Sequence, residues 1–147
     1  MTMSRSPENP LLLKGAALWL LVALGLAWCL VGLNFGLPVL PAVFAGKFTR
    51  LVQAHLDLLL MSALLFGFHA AKISLPRPVC WAMVIGAFTN SSLFLLQAIF
   101  PALDAPPAPG NLAQAAFGLY AIASVTLTSY GFGRAAVIVL RSTIKAG

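Results

Sequence analysis

The hydrophobic positions of this chain fall into four long runs, and the prolines and most of the charged residues lie between or at the ends of the runs. The predicted spans cover about residues 12–33, 51–73, 80–100 and 112–140. Each run is long enough to cross a bilayer as one α-helix, which needs about 20 apolar residues. The pattern therefore predicts an all-α integral membrane protein, in which residues 1–147 form a single domain built as a four-helix bundle.

The breaks between the runs are made of residues that helices avoid. The first run ends at Gly36-Leu37-Pro38, the second at Leu75-Pro76-Arg77-Pro78 and the third at Pro101. A loop is predicted over residues 102–111, where three prolines and a glycine oppose helix formation. Glycines also recur inside the runs, and such small residues let neighbouring helices approach closely.

The composition agrees with a membrane protein and argues against nucleic-acid binding. The chain is 61% hydrophobic and only 8% charged, whereas about a quarter of the residues in a soluble domain are charged. The net charge is +6, but the basic residues stand singly at the ends of the runs. This arrangement is typical of topology signals and of contacts with membrane lipid, so no nucleic-acid partner is expected.

The distribution of Lys and Arg predicts the orientation of the spans. One side of the membrane would carry seven basic residues, namely Arg5, Lys14, Lys72, Arg77, Arg134, Arg141 and Lys145. The other side would carry two, Lys47 and Arg50. Because loops rich in Lys and Arg remain in the cytoplasm, both termini are predicted to be cytoplasmic.

The second run contains ionisable residues at membrane depth. His55 and Asp57 lie inside it, and a charge held in hydrocarbon costs several kcal/mol. On a helix that turns about 100° per residue, the two side chains point about 200° apart and should serve different neighbours. Asp57 is expected to bond to Arg50 or Gln53, which share its stripe.

His55 has two possible roles, as a hydrogen-bonded core residue or as the ligand of a metal or haem. His69 lies fourteen residues further on, about 21 Å along the axis, so the two histidines of one subunit cannot bind the same ion. Zinc and non-haem iron usually take three or more protein ligands. Haem needs only one axial histidine, because the macrocycle supplies four nitrogens.

The third and fourth runs also carry polar residues. Thr89-Asn90-Ser91-Ser92 interrupts the third run at mid-membrane depth, and Asn90 could either join two helices or hold a polar group of a substrate. In the fourth run, Tyr130 and Arg134 form an i, i+4 pair, and Arg134 is expected to need a partner. Signature motifs of soluble enzymes are absent from the sequence.

In the order of these elements the chain resembles the small four-span bacterial membrane isomerases, which include styrene oxide isomerase and hydroxylaminobenzene mutase. The resemblance covers most of the chain through short motifs. These are Lys14-Gly15, Ala54-His55-Leu56-Asp57, Gly86-Ala87-Phe88-Thr89-Asn90 and Ser129-Tyr130-Gly131. The Ala-His-Leu-acid form is more similar to the mutase branch.

The resemblance implies a site. It implies that His55 binds haem b between the subunits of a homotrimer, and that Asn90 and Tyr130 orient the substrate. It also implies a location in the bacterial inner membrane.

Three positions depart from the family pattern. Met61 stands where the family has an asparagine, while Phe94 and Gly86 stand where the epoxide branch has a tyrosine and an aspartate. These losses remove polar groups that would hold an epoxide.

The function expected from the resemblance is a haem-dependent isomerase that rearranges a small apolar aromatic substrate and consumes neither nucleotide nor oxygen. Ferric haem would act as a Lewis acid on the substrate. Migration of a hydroxyl from nitrogen to a ring carbon, as in the mutase, is the preferred chemistry. The alternatives are an epoxide-to-aldehyde rearrangement and a haem-binding or structural membrane subunit without turnover.

Overall fold

The structure, a computed structural model, describes residues 9–106 and 108–146. The helices in chain order are α1 (Pro10–Asn34), α2 (Leu40–Val43), α3 (Phe48–Ala70), α4 (Arg77–Ile99) and α5 (Leu112–Ala146). A 3₁₀ turn, Pro101–Asp104, precedes α5. Over these residues the chain contains no strand, and the predicted all-α four-helix bundle is confirmed.

The four long helices can each cross a membrane. By length and composition this holds for α1, α3, α4 and the part of α5 from Leu112 to Ile144. Many of their apolar side chains face outward, as expected of helices that have lipid as their solvent. The chain is therefore a multi-pass membrane protein.

The helix ends differ from the predicted spans by a few residues, for local reasons. α4 begins at Arg77 with Pro78 in its first turn, where proline is favourable because the missing N–H has no helical partner anyway. α3 ends at Ala70 and is followed by Lys72, whose φ of 53° lies in the left-handed region. α5 continues beyond the predicted end at Leu140, since no proline or glycine lies between Leu140 and Ala146.

The bundle is centred on α4. α1 packs against α3, α3 against α4, and α4 against α5, while α1 also touches α4. In the most apolar stretch of α4 half of the residues are buried, against 17% in α5. α1, α3 and α4 thus form a three-helix group, and α5 is added to the side of α4, with a further contact to α3 between the rings of Phe132 and Phe68.

Two apolar clusters fill the interior. One lies at the end of the bundle where α1 and α4 begin and includes Leu12, Leu65 and Met83. The other lies towards the opposite end and includes Ala23 and Leu58.

Trp19 of α1 packs against both clusters. Its ring stacks on Phe88 at a centroid distance of 4.5 Å, and its Nε1–H donates to the carbonyl oxygen of Val84 at 2.9 Å. One residue therefore joins α1 to α4, and the only polar atom of its side chain is satisfied.

α4 and α5 approach so closely that two positions require glycine. A Cβ at Gly131 would lie 2.7 Å from the backbone nitrogen of Met83, and a Cβ at Gly86 would lie 2.8 Å from the Cα of Thr128. Backbone atoms cannot move aside as the end of a side chain can. The two glycines therefore set the distance between these helices.

Ion pairs hold the opposite end of the bundle together. Asp104 in the 3₁₀ turn is bound by Arg50 at the start of α3 and by Lys47, whose Nζ lies 2.7 Å from Oδ2. The hydrogen bonds from Arg50, and then those from Lys47, lower the pKa of the Asp104 carboxyl. The connection before α5 is thereby fixed to the start of α3.

Candidate functional site

His55 lies half-buried on the side of α3 that faces α1. Its Nδ1 lies 2.9 Å from the carbonyl oxygen of Ala23. A carbonyl oxygen can only accept, so Nδ1 carries the proton and donates it. In the neutral ring the other nitrogen, Nε2, then has a free lone pair.

The close packing of α1 on α3 makes this hydrogen bond possible. Ala23 and Ala54 are fully buried in the same cluster, and such small side chains bring the two backbones near to each other. Ser62 lies two turns above His55 but donates its hydroxyl proton to the carbonyl of Leu58, at 2.7 Å on its own helix. The position of the His55 ring is thus fixed from α1.

Asp57 is the centre of a polar contact between α3 and α4. Its Oδ2 accepts hydrogen bonds from Asn90 Nδ2 at 3.0 Å and from Ser91 Oγ at 2.8 Å. Asp57 and Asn90 are half-buried, whereas Ser91 is only 1% exposed. Two donors on one oxygen compensate for part of the cost of a carboxyl group at membrane depth.

The predicted partners of Asp57 are wrong. Arg50 donates to Gln53 Oε1 at 2.8 Å and binds Asp104, so it is engaged near the end of the bundle. Asp57 lies two turns further into the membrane and is bonded by α4 instead.

The separation of His55 from Asp57 is confirmed. His55 bonds to α1 and Asp57 bonds to α4, so one subunit presents the two groups on different sides of α3. Exposed apolar side chains, among them Leu56 and Leu60, lie on the outward part of the same helix. A single subunit therefore does not bring the imidazole and the carboxyl group together.

Tyr130 lies apart from Asn90. Its side chain is 54% exposed on the outside of α5, two residues after Thr128, which faces α4. Within residues 9–106 and 108–146, no hydrogen bond joins Tyr130 to Asn90 or to His55. Within the described part of one subunit, no hydrogen bond therefore joins any two of the three residues that the resemblance assigns to one site.

A row of hydroxyl groups between α4 and α5 was not recognised from the sequence. We call it the α4–α5 seam. It consists of the hydroxyls of Thr89 and Ser92 and the carbonyl of Gly86 on α4, with the hydroxyls of Tyr120, Ser124 and Thr128 on α5. The Tyr120 and Ser92 hydroxyls are 2.6 Å apart, and Ser124 Oγ donates to Thr89 Oγ1 at 3.0 Å. The polar residues of α5 are spaced four apart, and residues four apart share one helix face. This spacing could have predicted the seam from the sequence.

An apolar cavity of about 430 Å³ lies beside the α4–α5 seam. Its lining consists of Leu96, Phe100, Ala102, Leu103, Ala113, Ala116, Phe117 and Tyr120. The Tyr120 hydroxyl is already bonded to Ser92. His55, Asp57 and Asn90 are not among the lining residues, so this cavity does not enclose the candidate site.

His69 has a contact of the same kind as His55, but at the end of the bundle. Its Nδ1 donates to the carbonyl oxygen of Asn9 at 3.2 Å, and Asn9 Nδ2 donates to the carbonyl of Ile73 at 3.0 Å. These bonds attach the end of α3 to the start of α1. A structural role accounts for His69.

The hydrogen bond of His55 leaves one ring nitrogen without a partner in the neutral tautomer. Among the described residues, no three His, Cys, Asp or Glu side chains are grouped closely enough to hold a metal ion. Haem brings four nitrogens of its own and requires one axial histidine with a free nitrogen, which the bonded Nδ1 leaves at Nε2.

Comparisons with protein-family models, with curated proteins and with solved structures found no match.

Proposed function

We propose that this protein is an isomerase of the bacterial cytoplasmic membrane, with both termini in the cytoplasm. It would hold haem b through His55 and rearrange a small apolar aromatic molecule dissolved in the bilayer. The four membrane-length helices and the excess of basic residues at one end of the bundle support the location and the orientation.

The state of the His55 ring at membrane depth is the observation that carries this proposal, because His69 makes the same kind of bond only at the end of the bundle. Histidines that bind metals almost always donate their other ring N–H to a carbonyl or carboxylate, which fixes the tautomer and the orientation of the ring. The bond from Nδ1 to Ala23 has this form and leaves Nε2 available. When bound there, ferric haem supplies a Lewis acid that polarises an oxygen or nitrogen of the substrate.

The site is proposed to be completed between the subunits of a homotrimer. His55 and Asp57 face different sides of α3, and Tyr130 lies on the outside of α5. In a ring, each subunit offers one face to the neighbour on one side and a different face to the neighbour on the other. In such a ring, His55 of one subunit would be completed by residues on the opposite contact face of the next subunit, where Asn90 or Tyr130 would orient the substrate.

Asp57 favours a substrate that carries hydrogen-bond donors. A hydroxylaminoarene offers an N–H and an O–H to a carboxylate, whereas an aryl epoxide offers only an acceptor oxygen. Asn90, bonded to the same carboxylate, would orient the substrate together with it. This supports the mutase chemistry over the epoxide rearrangement.

The proposed rearrangement is balanced within one molecule. The N–O bond of the hydroxylaminoarene breaks and a C–O bond to the ring forms. The ring carbon loses a proton and the nitrogen gains one, so the product is an aminophenol of the same composition. Positive charge develops on the substrate ring as the N–O bond breaks. Leu56 and Leu60 are exposed on the outward part of α3, and a neighbouring subunit that covers this apolar surface would keep water away from that charge.

Haem binding is tested with two matched variants, because each histidine donates Nδ1–H to a backbone carbonyl. The purified protein should show a Soret band, which His55→Ala should lose and His69→Ala should keep. A colourless wild-type protein that still converts substrate would contradict the haem proposal.

Activity is tested in membranes of expressing cells with phenylhydroxylamine and with styrene oxide, without added nucleotide and under anaerobic conditions. We expect conversion of phenylhydroxylamine to an aminophenol. Conversion of styrene oxide alone would support the epoxide chemistry instead. If haem-loaded protein converts neither compound, the chain is better explained as a haem-binding subunit without turnover.

A further inference from the structure

A basic cavity lies at the end of the bundle where α1 and α4 begin. Its volume is about 410 Å³. The lining residues are Asn9, Pro10, Leu11 and Lys14 from the start of α1, and Arg77, Cys80 and Trp81 from the start of α4. The cavity is separate from the surroundings of His55, Asp57 and Asn90, and the proposed isomerase activity makes no use of it.

The charged side chains that line this cavity, among the described residues, favour an anion. Lys14 lies one turn inside α1, Arg77 is the first residue of α4, and both side chains are exposed. Neither helix has an acidic residue in its first turn. The positive ends of the two helix dipoles add to the two cationic side chains, so a negative group in the cavity is attracted by all four.

The position of the cavity indicates that the anion belongs to a lipid. Both helices begin their membrane-length apolar spans at this level. Trp81 is 51% exposed, and Ile85, one turn further into the membrane on the same side of α4, is 44% exposed. Tryptophan is enriched at the level of lipid headgroups, where its ring meets the apolar region and its N–H meets the polar one. A phosphate held in the cavity thus has an apolar surface directly beneath it for an acyl chain.

We propose that this cavity binds the phosphate of an anionic phospholipid between Lys14 and Arg77, with one acyl chain along Trp81 and Ile85. Each cation supplies a charge-assisted hydrogen bond to the phosphate, and the guanidinium group of Arg77 can form two in parallel. A zwitterionic lipid has a phosphate too, but its ammonium group would meet the same cations and reduce the attraction. The site therefore selects lipids with net negative charge.

The test measures lipid retention by native mass spectrometry of the full-length protein, purified in detergent and mixed with dioleoyl-phosphatidylglycerol or dioleoyl-phosphatidylcholine. The site variant is Lys14→Gln with Arg77→Gln. The control is Lys72→Gln with Arg141→Gln, which removes the same charge from the same end of the molecule without touching the cavity. Wild type and control should retain phosphatidylglycerol, and the site variant should need about tenfold more lipid for equal retention.

Three results would overturn the proposal. The two double variants could lose phosphatidylglycerol equally, which would show general attraction to a basic surface. Wild type could retain phosphatidylcholine as well as phosphatidylglycerol. Inorganic phosphate at millimolar concentration could displace the lipid completely, which would show a site for the free anion.

A second measurement does not depend on the folding of the charge variants. Phosphatidylglycerol brominated on its acyl chains should quench the tryptophan fluorescence of the wild-type protein more than brominated phosphatidylcholine does. Trp81→Phe should abolish this difference, because Trp19 is stacked inside the bundle and Trp28 lies near the other end of α1. An unchanged difference in Trp81→Phe would contradict the proposed place of the lipid.

Discussion

At the scale of single residues, one carboxylate oxygen organises the contact between α3 and α4. Oδ2 of Asp57 accepts from both Asn90 and Ser91, which differ in exposure. Ser91 is buried and cannot touch a substrate, whereas Asn90 is half-buried and can. This difference allows the structural role of Asn90 to be separated from its proposed role in binding.

The residue-scale prediction concerns Asn90→Leu, with Ser91→Ala as the control that removes the other donor to Asp57. One interhelical hydrogen bond is worth about 1–2 kcal/mol at most, and either variant keeps the second bond. Both should therefore remain assembled with their haem. Turnover of Asn90→Leu should fall by about tenfold or more, since 1.4 kcal/mol of lost transition-state stabilisation is one decade in rate. Turnover of Ser91→Ala should fall less.

Two outcomes would exclude Asn90 from the site. The first is unchanged turnover of Asn90→Leu. The second is a parallel loss of haem, assembly and activity in both variants, which would show that the two donors act only as helix contacts.

How far the sequence predicts these contacts depends on how local they are. The opposite directions of His55 and Asp57 follow from the fixed turn of an α-helix and could be predicted. The bond from Asn90 to Asp57 joins residues 33 positions apart, on helices whose relative rotation no single run of residues specifies. The assignment of Asp57 to Arg50 failed for the same reason, because the partner that engages Arg50 is Asp104, 54 positions away.

At the scale of helices, the distance between α4 and α5 is set by glycine. Gly131 lies against the backbone of Met83 and Ala82, while Gly133 has no atom within 4 Å of where a Cβ would be. The two positions are on the same helix, two residues apart. They form a natural pair for a substitution and its control.

The helix-scale prediction is that Gly131→Ala destabilises the attachment of α5 to α4 by about 1–3 kcal/mol, the usual range for overpacking. A Cβ there would lie 2.7 Å from the Met83 nitrogen and 2.8 Å from the Ala82 carbonyl carbon. Gly133→Ala should be neutral or slightly stabilising, because alanine has the higher helix propensity and meets nothing. Unfolding of both variants in mixed micelles with increasing dodecyl sulfate measures the difference, and equal stabilities would refute this account of the packing.

The four helices were predictable because each is a long apolar run closed by proline, glycine or charge. Which helix packs against which could not be predicted. Apolar residues that face lipid and apolar residues that face another helix look alike in a sequence, because both surroundings are apolar. The polar residues of the α4–α5 seam indicate the packed helix faces better than the apolar residues do. They mark the faces that pack, and the spacing of Tyr120, Ser124 and Thr128 could have been read in this way.

At the scale of the whole molecule, Asp104 connects distant parts of the chain. Its side chain is only 8% exposed and pairs with Lys47 and Arg50. Hydrogen bonds from Arg50, and then from Lys47, hold the pKa of Asp104 below its ordinary value. Folding therefore favours the ionised carboxylate at this position.

The resulting prediction concerns acid stability. Because the folded pKa is lowered, the ion pairs contribute stability above the unfolded pKa of an aspartate, about 3.9, and this contribution is lost as the pH falls through the folded value. Asp104→Asn should be less stable than wild type at pH 7, and the difference should shrink below about pH 4. Unfolding of both proteins as a function of pH measures it, and a difference that stays constant down to the most acidic pH would contradict the assignment.

The order in which the helices are made gives the α4–α5 seam a further consequence. Synthesis proceeds from the N-terminus, so α1, α3 and α4 can meet before α5 leaves the ribosome. During that interval the seam side of α4 faces lipid. Thr89 Oγ1 already donates to the Gly86 carbonyl, and Ser92 Oγ to the Thr89 carbonyl, both within α4. These hydroxyls need no partner from α5. The incomplete bundle of α1, α3 and α4 can therefore remain in the bilayer without unsatisfied hydrogen-bond donors on this face of α4.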